Sequence, residues 1–206
     1  CGYASQGAGL LTLHRGNVDS LFPHTALAQQ RKANGQFTET PFLSSARAFA
    51  SPEAPELIAT GDFNADGHWD ILTAARDSRT LHFLPGDGRG KFGVPQSVEL
   101  PGNVKALASG EINRADGLID LAVAVSGERG SQVLVFESPD GAMRAKPEIF
   151  DLPNDATVLA MGLLDDDMFR DLAVAAGSDV LTIKGRDRRL SLDETRRAEA
   201  SPAIVT

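Results

Sequence analysis

The stretch Asp62-Phe-Asn64-Ala-Asp66-Gly67-His68-Trp69-Asp70 places three carboxylates and an amide at close intervals on one short loop. Calcium is a hard cation that takes six to eight oxygens at ~2.3–2.6 Å, and alternate residues of a tight loop can aim side-chain oxygens inward. Asp62, Asn64, Asp66 and Asp70 would supply side chains and His68 its backbone carbonyl, with Gly67 permitting the bend after the third ligand. Without a cation, carboxylates this close repel one another. The competing reading of the same residues is a hydrated acidic turn.

Two other segments are weaker copies. Glu111, Asn113, Asp116 and Asp120 keep the ligand types, but Arg114-Ala115 holds one extra residue between the second and third positions. In the third copy Asp165, Asp167 and Asp171 remain, with Asp166 as a substitute, while Leu163 takes the first ligand position and Met168 replaces the glycine. A turn closed by ordinary hydrogen bonds accounts for that copy as well as a metal does. The expected gradient in calcium binding therefore falls from the first loop to the third.

Catalytic chemistry finds little support. His14, His24, His68 and His82 do not pair at a spacing that suggests a transition-metal site or a nucleophile–base couple, and they read as surface or rim residues. Asp165-Asp166-Asp167 could be paired catalytic carboxylates, but their register with the first loop explains them better. No catalytic residue is assigned, and the expectation is a protein that is not an enzyme.

The loops must be positioned by something that repeats, because Gly61, Gly110 and Gly162 precede them at intervals of about 50 residues, the range of propeller blades. After each loop comes a short apolar run: Ile71–Ala75, Leu121–Val125 and Leu172–Ala176. These are too short for helices and read as strands buried on both faces. Alternating runs at Thr80–Leu84, Gln132–Phe136 and Asp179–Ile183 follow, then a turn and a more polar strand. Four strands per unit, the polar one last, predict an all-β chain: a partial β-propeller of four-stranded antiparallel blades. Full blades are expected at 51–100, 101–152 and 153–200, with a partial blade at 1–50 and the first strand of another at 201–206. Gly35–Phe42 aligns with Gly90–Pro95 as the lead-in to a fourth strand. An insertion at 17–34 interrupts the first unit; Thr25–Lys32 has helix-forming composition with Thr25 as a cap, and a disordered loop is the other option.

Composition bounds the partners. With 206 residues, 42% hydrophobic and 23% charged, the chain can bury a core. Its net charge of −8 and the lack of a basic face speak against nucleic acid. No apolar stretch approaches the ~18 residues of a membrane span. No signal peptide is visible. Cys1 is the single cysteine, so no internal disulfide forms; it is either a lipid-bearing start or simply where the sequence begins.

Gly-Asp-Phe-Asn-Ala-Asp-Gly-x-x-Asp at 61–70, with Gly-Lys-Phe-Gly-Val-Pro at 90–95, resembles the FG-GAP/VCBS repeats of integrin α-chain propellers and many secreted bacterial proteins. That resemblance spans about residues 9–206. It implies Ca2+ in loops between the first and second strands and an extracellular, periplasmic or cell-surface setting. It also implies a non-catalytic ligand-binding or adhesion scaffold whose partner is an extracellular protein or a glycan. The alternatives are the propeller portion of a polysaccharide lyase, or a lectin. A lectin needs exposed aromatics, and the chain has one Trp and one Tyr; Trp69 is expected to pack beside its loop.

Overall fold

The computed structural model describes residues 2–5, 8–112, 116–185 and 204–205. Two of the short apolar runs, Ile71–Ala75 and Leu121–Val125, form strands covered by neighbouring sheets on both faces; Leu172–Ala176, expected to be buried likewise, is covered on one face only because no described sheet follows it. Four antiparallel sheets follow one another along the chain, each a meander of consecutive strands. The first contains β1 (Gly2–Ser5), β2 (Ala8–Leu13) and β3 (Arg47–Ser51). The second contains β4 (Leu57–Gly61), β5 (Asp70–Ala74), β6 (Thr80–Leu84) and β7 (Gln96–Glu99). The third contains β8 (Asn103–Gly110), β9 (Asp120–Gly127), β10 (Gly130–Phe136) and β11 (Glu148–Leu152). The fourth contains β12 (Ala156–Gly162), β13 (Asp171–Ala176), β14 (Asp179–Ile183) and β15 (Ile204–Val205).

Side chains alternate across a strand, so one middle strand can serve two cores. Leu121, Val123 and Val125 of β9 pack with Leu72, Leu81 and Phe83 of the second sheet. Ala122 and Ala124 of the same strand turn the other way, toward Leu172, Val174 and Leu181 of the fourth. A thinner apolar layer of Leu11, Ile71 and Leu84 joins the first and second sheets, with Phe49 and Phe92 meeting edge to face at 5.0 Å. The sheets therefore stack in chain order. Fully burying one such leucine contributes about 1.5–3 kcal/mol, so each layer is worth several times the net stability of a single contact.

The opening strands of successive sheets lie side by side, β4 beside β8 and β8 beside β12. Small residues allow this approach: a methyl group on Gly61 would overlap the Ile119 side chain. The outer face of the fourth sheet is open, with Val158 57% and Val180 65% exposed.

The 17–34 insertion is helical. It forms α1 (Val18–Leu21) and α2 (Ala26–Ala33), and the Thr25 hydroxyl accepts from Ala28 N at 3.3 Å as an N-cap. Arg31 reaches Asp19 at 2.6 Å, and Asn17 Nδ2 donates to the carbonyls of Thr38 and Thr40. These bonds fold the excursion back on itself.

Two strand readings change. The bridge Gly86–Phe92 ahead of β7 has its counterpart in Gly16–Phe42 ahead of β3, so Phe42 occupies the place of Phe92, and Gly35-Gln-Phe37 does not. The helical insertion lengthens the connection and shifts the alignment. At the other end the sequence predicts a strand opening a further unit at 201–206. Ile204–Val205 instead pairs antiparallel with β14, Ile204 opposite Ile183 and Val205 opposite Thr182. An edge strand with unpaired amides takes any extended apolar segment that reaches it, and the local pattern does not specify which.

Candidate cation loops

The three acidic loops each connect the first and second strands of a sheet, and one arrangement recurs in all three. The last aspartate, first residue of the second strand, accepts a backbone N–H from the residue two beyond the glycine. Phe63 N donates to Asp70 Oδ2 at 3.0 Å, Ile112 N to Asp120 Oδ2 at 2.8 Å, and Leu164 N to Asp171 Oδ2 at 2.9 Å. The three carboxylates are 1%, 4% and 1% exposed, so this bond closes the base of each loop out of reach of water. Asp70 and Asp171 use their second oxygen as well, accepting from Gly86 N at 2.8 Å and Gly185 N at 2.9 Å in the turn after the third strand.

In the first loop Asp62 turns its carboxylate inward and accepts from Asp66 N (3.2 Å) and Gly67 N (2.8 Å). Asn64 Oδ1 accepts from Asp66 N, and Asp66 Oδ1 from His68 N. Positive φ at Ala65 and Gly67 makes the tight reversal. Phe63 is fully buried and its carbonyl accepts from Met143 N, while Gly141 at φ +100 lets the third sheet's 310 turn (Ala142–Arg144) press against Phe63 and Asn64. The loop is thus held from both ends and from beneath.

Electrostatics show how close the charges are. Burial pushes the Asp70 carboxyl up; amide bonds from Gly86 and Phe63 oppose this, and the charges of Asp66 and Asp62 add to it. For Asp66, slight burial is outweighed by bonds from Asn64 and His68 and by the nearby Arg144, which hold it below the usual carboxylate range. Among the described residues no three acidic, His or Cys side chains already converge as a metal cage. The donor set nonetheless fits a hard cation. It is all oxygen, and each carboxylate oxygen that accepts a loop amide keeps a second lone pair.

The second loop rebuilds the first with a longer side chain. Glu111 takes the place of Asp62 and accepts from Asp116 N and Gly117 N, both at 3.0 Å. One more methylene spans the extra residue. Leu118 N donates to Asp116 Oδ1 as His68 N does to Asp66. Asn113 lies outside the described residues. Burial drives Asp120 up to about 8; the Ile112 amide opposes this, and Glu137, Asp116 and Glu111 add like charge.

The third loop is compensated from within. Lys184 Nζ lies 3.1 Å from Asp165 Oδ2, and bonds from Asp167 N and Lys184 hold Asp165 below the usual range. Asp167 accepts from Phe169 N at 2.7 Å. Leu163 and Met168 are 61% and 80% exposed, adding no oxygen. An ammonium pairs directly with this loop, whereas among the described residues no ion pair at hydrogen-bond distance reaches the carboxylates of the first.

Several features escaped the residue pattern. Trp69 does not pack beside its loop: it is 66% exposed, on the solvent side of the loop with Ala65, Asp66, Gly67 and His68, while Asp70 after it is buried. His82 is buried between the first two sheets rather than on the rim, its Nδ1 3.3 Å from Ser97 Oγ and its Nε2 3.8 Å from Glu53. Lys184, Gly86 and Gly185 act on the loops from another turn, and only a repeat aligned past the third strand would have signalled them. No protein-family model matches the chain, and no curated protein matches it in sequence.

Proposed function

We propose that the chain is a calcium-binding β-propeller module of the FG-GAP/VCBS kind, a non-catalytic scaffold for ligand binding or adhesion outside the cytoplasm. The observation that carries this reading is the shared loop frame. Three loops close on a buried aspartate in the same way, and the first combines an inward Asp62 with Asn64, Asp66, a positive-φ Gly67 and, among the described residues, no lysine paired to its carboxylates. Asp62, Asn64, Asp66 and Asp70 would hold Ca2+ there, with the His68 carbonyl. Glu111, Asp116 and Asp120, with Asn113, form a second and weaker site. Asp165, Asp167 and Asp171 are served by Lys184.

The propeller reading is supported by the side-by-side opening strands, the face-to-face order of the sheets and the two-sided burial of β9 and β10. Val180 occupies in the fourth sheet the position that Val133 holds in the third, where a following sheet buries it. An ion in the first loop would neutralise its carboxylates and tie the ends of β4 and β5 together, so its binding energy adds to folding. The role is structural and requires no turnover.

A glycan partner is favoured over a purely protein one by the exposed Trp69 beside the loop. Calorimetric titration of calcium-stripped protein with Ca2+ tests the metal assignment: saturable binding that Asp66→Ala abolishes and Asp165→Ala leaves intact supports it. Binding that Asp66→Ala does not weaken overturns it.

A further inference from the structure

Beside the first cation loop, at the seam between the first and second sheets, two concavities adjoin. One, of about 380 Å³, is lined by His68, Trp69, Lys91 and Phe92 together with Leu13 and the turn at 86–90. The other, of about 440 Å³, is lined by Arg15, Arg47 and Arg89. Leu13, Gly88 and Gly90 belong to both, so they form one groove with an indole at one end and three guanidinium groups at the other.

The groove is built rather than incidental. Arg47 Nη1 donates to the carbonyls of Arg89 and Gly90, both at 2.9 Å, which fixes the guanidinium while leaving most of its N–H groups for another acceptor. Asp87 Oδ1 accepts from Arg89 N (2.8 Å) and Lys91 N (2.9 Å) and pins the turn. Gly88 and Gly90 have positive φ, and a Cβ on Gly88 would come within 2.6 Å of His68 Nδ1. The turn is thereby seated directly on the cation loop.

The charge is local and contrary to the whole. In a chain of net charge −8, three arginines share one concavity, and none has an acidic partner among the described residues. Asp87 is the one acid in the lining, and its carboxylate is engaged with backbone amides. Trp69 is exposed beside them.

We propose that this groove binds an acidic saccharide, a glycan carrying uronic acid units. Guanidinium forks match a carboxylate in geometry and charge. The negative face of the Trp69 ring matches the weakly positive C–H face of a pyranose. A nucleic acid would want a basic stripe that follows many phosphates, and this cluster is confined to one concavity. An acidic peptide would satisfy the arginines but would leave the indole without a partner. The inference rests on the scaffold reading, since His68 and Trp69 belong to the cation loop, and it adds the ligand class.

Trp69 is the single tryptophan, so its fluorescence reports on the groove alone. The test titrates calcium-loaded protein with a hyaluronan tetrasaccharide, with maltotetraose as the neutral sugar and hexaglutamate as the acidic peptide. The proposal predicts a saturable fluorescence change with hyaluronan and binding weaker by about tenfold or more for the other two. Arg15→Gln and Arg89→Gln, both exposed, should each weaken hyaluronan about tenfold with an unchanged melting temperature, the loss of one charge-assisted contact. Calorimetry on Trp69→Ala should show a similar loss. Absence of hyaluronan binding, equal binding of maltotetraose or hexaglutamate, or indifference to both arginine variants overturns the proposal. A calcium response that persists in that case leaves the metal reading standing.

Discussion

Replacing Asp70 by alanine separates what the loops do as structure from what they do as a cation site. Asp70 is 1% exposed and accepts from two backbone amides, Phe63 N at 3.0 Å and Gly86 N at 2.8 Å. Each bond to an ionised acceptor is worth about 1.5–3 kcal/mol, and an orphaned buried N–H costs about 1–3 kcal/mol. Against this, removal relieves a buried carboxylate whose ionisation is already disfavoured by burial and by Asp62 and Asp66. The balance is a loss of about 3 kcal/mol in the absence of calcium. Asp70→Asn keeps one acceptor oxygen and sheds the charge, so it should lose roughly half as much. Asp66→Ala, on the exposed side of the loop, should change calcium-free stability by less than about 1 kcal/mol. Urea unfolding in EGTA, followed by far-UV circular dichroism, gives all three values from the midpoints at constant slope. An Asp70→Ala loss no larger than that of Asp66→Ala would show that the buried aspartate does not hold the loop.

Further outcomes follow from the same geometry. Asp120 titrates near its ordinary ~3.9 when unfolded but at about 8 when folded. The folded state therefore binds the extra proton between these values, and calcium-free stability should fall as pH rises through that window. The slope is at most about 1.4 kcal/mol per pH unit, and Asp120→Asn should flatten it in urea titrations at several pH values. Gly61→Ala drives a methyl into Ile119 and should cost about 1–3 kcal/mol, recovered in part by Gly61→Ala with Ile119→Ala in thermal melts. Thr73 is 1% exposed and its hydroxyl has no hydrogen-bond partner among the described residues, so Thr73→Val should stabilise by about 1 kcal/mol; a destabilised variant would mean that the hydroxyl is satisfied.

What the sequence made legible is what local periodicity controls. Leu121–Val125 announces a strand covered on both sides because an apolar run of that length, bounded by turn residues, cannot be satisfied with one face in water. The Thr25 cap announces α2 because a hydroxyl ahead of a helix-forming run satisfies an end amide. The frame of the loops was legible because the spacing of their acids sets which carboxylates turn back onto the loop amides. Features that depend on what another sheet brings near were not legible. Nothing in the vicinity of Asp165 predicts Lys184, which arrives from the end of β14. Trp69 looked like packing because buried Phe63 and Asp70 bracket its loop, yet it lies with the exposed run 65–69 on the solvent side. His82 sits directly opposite Ser97 in the β6–β7 pairing and faces Glu53 across a seam, a relation visible only once the first two sheets are paired. The pairing of Ile204–Val205 with β14 likewise turns on which strand edge is open.

The first loop is proposed as a calcium site and the third as a turn compensated by Lys184. Thermal melts of wild type, Asp66→Ala and Asp165→Ala, each in EGTA and in millimolar calcium, test it most directly. Calcium should raise the melting temperature of wild type and of Asp165→Ala alike, and Asp66→Ala should lose most of the rise. A wild-type melting temperature that does not respond to calcium, or a response that disappears with Asp165 rather than Asp66, would contradict it.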